Sequence, residues 1–103
     1  MIRAELFTQN GKIIGFSING HSGAAPMGKD IYCAGVSALS DSTALCIANH
    51  LKRDVECTVA KGNSKLKLKA PPDDLTEAVF QTLLIGLKEI EKLVPKFLKV
   101  TIK

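Results

Sequence analysis

Asn10-Gly11 constrains this chain more than any other feature, because it separates Ile2–Gln9 from Lys12–Asn19, two runs rich in Ile and Phe. A two-residue hairpin turn of type I′ needs positive φ at both central positions, which Asn and Gly accept at the least cost, so the pair predicts an opening β-hairpin. A second hairpin is expected over 55–61 and 65–70 around Gly62-Asn63. There Lys65, Lys67 and Lys69 alternate with Leu66 and Leu68, the period of a strand with one wet side. Pro71-Pro72 closes it, since proline has no amide to give to a ladder.

The segment between the hairpins divides in two. Positions 20–29 read GHSGAAPMGK, with three glycines and a proline and no periodicity, which predicts a loop. Asp30 is suited to cap a helix over 31–52, where a carboxylate accepts first-turn amides and meets the positive end of the dipole. At about 100° per residue Val36, Leu39, Cys46 and Ile47 share one stripe, expected to lie on the sheet, with Cys33 about 90° from its middle. A second helix is expected after the second hairpin, with Asp74 and Glu77 as a capping-box-like start. Its apolar face would run from Val79 and Phe80 through Leu83, Leu84, Leu87 and Ile90 to Val94, just before Pro95. Gly86 would let another helix approach it at Ala34 and Ala38. A last strand is expected over 97–102. The order ββαββαβ predicts an α+β fold in two layers, a mostly antiparallel sheet with two helices on one face.

With 103 residues, 46% hydrophobic and 23% charged, the chain can bury a core as one domain, 1–103, and is not intrinsically disordered. Uninterrupted apolar runs such as Leu83-Leu84-Ile85 are far shorter than the roughly 18 residues of a membrane span, so no membrane partner is expected. Glu5 falls where a signal peptide would keep an apolar core, which points to the cytoplasm. Cys33, Cys46 and Cys57 form an odd set without C-x-x-C, as expected of reduced thiols. The net charge of +4 is modest, aromatics are 5%, and Arg3 and Arg53 are the sole arginines, so nucleic acid is not expected as a partner. The competing reading is a non-catalytic binding module that uses its lysine-rich face to hold RNA or an acidic partner.

Counting Asp30 as the cap makes Cys33 the third helical residue, where unpaired amides and the helix dipole favour a thiolate. His21 ends the second strand, and a loop returning to the helix can bring positions 21 and 33 together. An imidazole there can hold the thiolate as an ion pair and later protonate a leaving amine. The plainer alternative is a loop histidine and a half-buried cysteine acting as a small hydrophobe. That plainer reading also covers Cys46, in the packed stripe, and Cys57, in a strand. Cys46 and His50 stand four apart on one helix, but no further pair has zinc-ligand spacing, and neither GxxxxGK[ST] nor GxGxxG occurs. No metal and no organic cofactor are expected.

The G-H-S at the end of the second strand, a short glycine-containing loop and then G-x-D-I-x-C-A-x-V-S-A-L resemble the bacterial ribosomal-processing cysteine protease family, Prp. The resemblance implies a homodimeric endopeptidase. Its peptide substrate would be a ribosomal protein precursor, the twenty-seventh protein of the large subunit, whose N-terminal extension is removed before ribosome assembly. By position, Cys33 corresponds to the nucleophile and His21 to the general base, while Gly20, Ser22, Gly28, Asp30 and Ser37 fall on positions that shape the site. Asp30 would cap the helix or orient His21. Family members commonly carry Ala at the position of Ser22, a small aliphatic residue at Tyr32 and Ala at Gly35. These departures bear on substrate preference more than on chemistry.

Overall fold

A computed structural model of the chain describes residues 1–20, 31–60 and 62–103. In chain order it contains β1 (Ile2–Gln9), β2 (Lys12–Asn19), α1 (Ile31–Leu45), a π-helical turn (Cys46–His50), β3 (Val55–Ala60), β4 (Asn63–Leu68), α2 (Asp74–Leu93) and β5 (Leu98–Ile102). The sheet order is β3-β4-β2-β1-β5. Neighbours are antiparallel except β1 and β5, which run parallel from Ile2 beside Leu98 to Leu6 beside Ile102. This is the expected α+β fold with the ββαββαβ order and a mostly antiparallel sheet. Inward side chains of the strands, among them Leu6, Phe16, Leu66 and Leu98, meet Val36 and Ile47 from the α1 segment and Phe80 and Leu83 of α2 in one core. Phe16 and Phe80 stack edge to face, centroids 6.5 Å apart, worth about 1 kcal/mol beyond their burial.

Asn10 and Gly11 both take positive φ, 54° and 83°, as the turn between β1 and β2 requires. A bulge follows, since Phe7 pairs with Gly15 but Thr8 with Ile13. The Ile13 amide donates instead to Glu77 Oε1 of α2 at 2.8 Å. Glu77 therefore ties the helix to the sheet rather than serving the cap. The cap is Asp73, not Asp74: directly after Pro72 it holds an extended backbone, and its carboxylate accepts from the amides of Leu75 and Thr76 at 2.9 and 3.0 Å. Thr76 completes the box by accepting from the Asp73 amide at 3.0 Å.

The Thr76 amide, and after it Arg53, whose Nε lies 2.9 Å from Oδ2, hold the Asp73 carboxyl below its ordinary range. The charged form is thus favoured by folding. Its contribution is complete above the ordinary carboxylate pKa of about 4 and is lost as pH falls through the lowered folded value. Asp73→Asn keeps a capping oxygen without the charge, so its Tm should fall less steeply than the wild-type Tm between about pH 5 and pH 2. Parallel melting curves would remove that role from the charge.

The face that α1 buries differs from the expected stripe. Val36, Ser40, Thr43 and Ala44 are buried, with Ile47 in the π turn, while Leu39 and Cys46 are half-buried at its border. Ser40 and Thr43 can enter the core because their hydroxyls donate to the Ser37 and Leu39 carbonyls at 3.2 and 2.8 Å. Reading apolar residues alone placed the face about 50° away, and on the true face Cys33 lies about 40° from the middle. It is half-buried and packs against the core. The helical run ends at Leu51, whose amide donates to the Cys46 carbonyl five residues back, and Lys52 then takes φ 55°. It stops short of the expected 52 because Lys52 has turned into the left-handed region.

Gly86 does admit a close approach from α1, but its partner is Leu39. A Cβ there would stand 2.8 Å from Leu39 Cδ1, whereas Ala34 and Ala38 are exposed. Residues Ile31–His50 are long and apolar enough, by length and composition alone, to cross a membrane, a property hidden by the serines and Asp41 that interrupt the run. One face of that segment is spent on the core. Phe97 lies in a turn rather than in β5, and its carbonyl accepts from the Ile2 amide at 2.7 Å. At the β5 edge the Val100 amide donates to Glu91 Oε2 at 2.8 Å, which occupies a group that would otherwise invite another strand.

Candidate active site

The site begins where β2 leaves the sheet. Gly20 has φ +99°, and a Cβ there would collide with the Met1 carbonyl oxygen, so glycine alone lets the end of β2 pass so close to the start of β1. Its amide donates to the Gly62 carbonyl at 2.9 Å, which joins this point to the turn between β3 and β4. The described chain resumes in α1, with Cys33 as its third residue.

Between α1 and that turn lies an open cleft of about 370 Å³. Cys33, Val36, Ser37, Ser40 and Asp41 form one wall, and their spacing of i, i+3, i+4, i+7 and i+8 is one helix face over two turns. Val59, Ala60, Gly62, Asn63 and Ser64 form the other wall, while Ile2 and Ile18 lie beneath near Gly20. Register puts Val55, Cys57 and Val59 on the helix side of the sheet, opposite Leu68, Leu66 and Ser64. Even so, Cys57 is exposed and Val59 is 64% exposed, because the helices stop short of this edge strand. The result is a trough with an apolar floor, a polar rim and a thiol at one end. Among the described lining residues Asp41 carries the one charge.

Of the residues expected at the site, Gly20, Cys33 and Ser37 come together in this cleft. His21, Ser22, Gly28 and Asp30 lie outside the described residues. Ser37 is exposed on the rim, one turn beyond Cys33. Cys46, Cys57 and His50 do not line the cleft. Among the described residues no three His, Cys, Asp or Glu side chains gather where they could hold a metal ion. Sequence reasoning missed Ser40 and Asp41, although their helical spacing from Cys33 was available. It also missed the β3–β4 wall, which depends on strand order.

The two-layer fold thus sets the Cys33 thiol at the end of a trough long enough for several residues of extended chain. The family model described as cysteine protease Prp matches residues 1–99, and the chain belongs to that family. Among solved structures it is similar to the essential ribosomal processing protease Prp from S. aureus in complex with a covalently linked product peptide. The TM-score is 0.92 and the identity 23%, with all of both chains covered. The same protease in complex with a substrate peptide matches with a TM-score of 0.86 and 22% identity, again over the whole of both chains. SMU.848 from Streptococcus mutans matches with a TM-score of 0.85 and 25% identity over 99% of this chain and 93% of that one. Among curated proteins none is similar in sequence.

Proposed function

We propose that this chain is a cytoplasmic cysteine endopeptidase that removes the N-terminal extension of the twenty-seventh large-subunit ribosomal protein before ribosome assembly. Cys33 is the nucleophile and His21 the general base and acid. The observation that carries this reading is the position of Cys33 in the first described turn of α1, at the end of a peptide-sized cleft in a member of a protease family. The S. aureus relative holds a substrate peptide in one complex and a covalently linked product peptide in another, which supports an extended peptide as the ligand.

In this mechanism the Cys33 thiolate attacks the scissile carbonyl carbon, forming the carbon–sulfur bond and placing negative charge on oxygen. Amides in the first turn of the helix donate to that oxyanion. Collapse of the tetrahedral intermediate breaks the carbon–nitrogen bond as His21 gives its proton to the leaving amine. Water, deprotonated by His21, then hydrolyses the thioester. No cofactor takes part. Incubating the purified protein with the precursor encoded in its genome should give two product masses from a single cut behind the extension. An intact precursor beside a cleaved unrelated peptide would overturn the substrate and keep the hydrolase.

The same reading makes the enzyme a homodimer. On the side of α1 away from the core, Ile31, Ala34, Ala38 and Leu45 are exposed, Ile31 by 72% and Leu45 by 59%, an apolar stripe that a second copy can cover. Light scattering should give twice the 11.1 kDa chain mass, and a monomer mass would defeat the expectation.

One observation favours the RNA-binding alternative. Arg3, Lys65, Lys67 and Lys99 alternate with inward Ala4, Leu66, Leu68 and Leu98, so they share the sheet face that the helices leave open. Salt-sensitive RNA binding that is unaffected by Cys33→Ala would support it.

A further inference from the structure

We infer that Asp41 makes the enzyme prefer a Lys or Arg side chain three or four residues from the scissile bond. This deepens the peptidase reading and rests on it. The α1 wall of the cleft runs from Cys33 to Asp41 along one helix face. Eight residues at 1.5 Å rise place the two about 12 Å apart along the axis. An extended peptide advances about 3.3 Å per residue, so a chain whose carbonyl meets the Cys33 sulfur brings its third or fourth neighbour beside Asp41.

The chemistry of that end of the cleft suits a cation. Asp41 is exposed at the rim, and the buried hydroxyl of Ser40 beside it is turned to the Ser37 carbonyl. Among the described residues of the opposite wall, Val59, Ala60, Gly62, Asn63 and Ser64, none is charged. Ile2, Ile18 and Val36 are buried in the floor of the cleft, so the methylene stem of a Lys can lie on apolar surface while its ammonium reaches the carboxylate at the rim. A Glu at the same place would face a like charge with an apolar surface on one side, where screening by water is weaker.

The test uses the full-length wild type, Asp41→Asn and Asp41→Lys. Peptides spanning the precursor cleavage site carry Lys, Ala or Glu at each of four positions on either side of the scissile bond. The readouts are kcat/KM, and Kd by fluorescence anisotropy with the same Asp41 variants in a Cys33→Ala background. For the wild type, Lys over Ala should gain about threefold, the size of a rim ion pair, and Lys over Glu about tenfold. The effect should peak at the third or fourth position on one side, vanish in Asp41→Asn, invert in Asp41→Lys and shrink as salt rises. A charge preference that survives Asp41→Asn, or one that peaks beside the scissile bond, would overturn the assignment. Peptides cut equally whatever their charge would overturn it while leaving the peptidase intact. Peptides neither bound nor cut by the wild type would overturn the peptidase reading itself.

Discussion

Cys33→Ala should lower cleavage of the ribosomal precursor by at least about 10⁴-fold, the scale on which removing a covalent nucleophile acts. The fold should survive, because the thiol is half-buried at the border of the core and the change removes one sulfur, so Tm should stay within a few degrees. The other two cysteines make the measurement specific. Cys46 is half-buried in the π turn and Cys57 exposed on β3, and neither lines the cleft. Cys46→Ala and Cys57→Ala should each keep activity within about twofold. Iodoacetamide must be read with the same contrast: Cys57 will be alkylated because it is exposed, so inactivation should follow modification of Cys33 in a Cys57→Ala background. His21→Ala should lose most of the activity in the same assay, since the imidazole serves both as base and as acid. Cleavage at wild-type rate by Cys33→Ala, or its loss in Cys57→Ala alone, would overturn the mechanism.

Much of this molecule could be read from local patterns, and the failures share a physical cause. Asn10-Gly11 located the first hairpin because its turn requirement lies in two residues, and the alternation around Leu66 located β4. The buried face of α1 was misjudged because Ser40 and Thr43 are polar by composition yet bonded to their own helix, so burial costs them little. Asp73 and Asp74 are indistinguishable by type, and the extended backbone after Pro72 decides which one caps. The parallel return of β5 to β1 and the place of β3 at the end of the sheet follow from strand order, which periodicity does not encode. For the same reason Cys33, Gly20 and Ser37 were legible as a motif, while the opposite wall at Val59 and Asn63 was not.

Gly20→Ala and Gly35→Ala are the same chemical change with opposite expected results. At Gly35 a Cβ would meet Ile90 Cδ1 at 3.5 Å, an ordinary contact, and the backbone is helical. Alanine there should raise stability by about 0.5–1 kcal/mol through helix propensity. At Gly20 the positive φ alone costs a residue with a side chain about 1–2 kcal/mol, and the new methyl also enters the Met1 carbonyl. Met1 cannot yield freely, because Ile2 is paired beside Leu98 and its amide is bonded to Phe97. At roughly 4–8 °C per kcal/mol for a domain of this size, Gly20→Ala should lower Tm by about 10 °C or more. Activity should fall further than stability at temperatures where the variant is still folded. Relief of the clash moves the end of β2 from the Gly62 carbonyl, and with it the point from which the chain proceeds to His21. A Gly20→Ala protein with wild-type Tm and wild-type kcat/KM would mean that the close approach to Met1 shapes neither the fold nor the cleft. The glycine of the G-H pair would then need a different explanation.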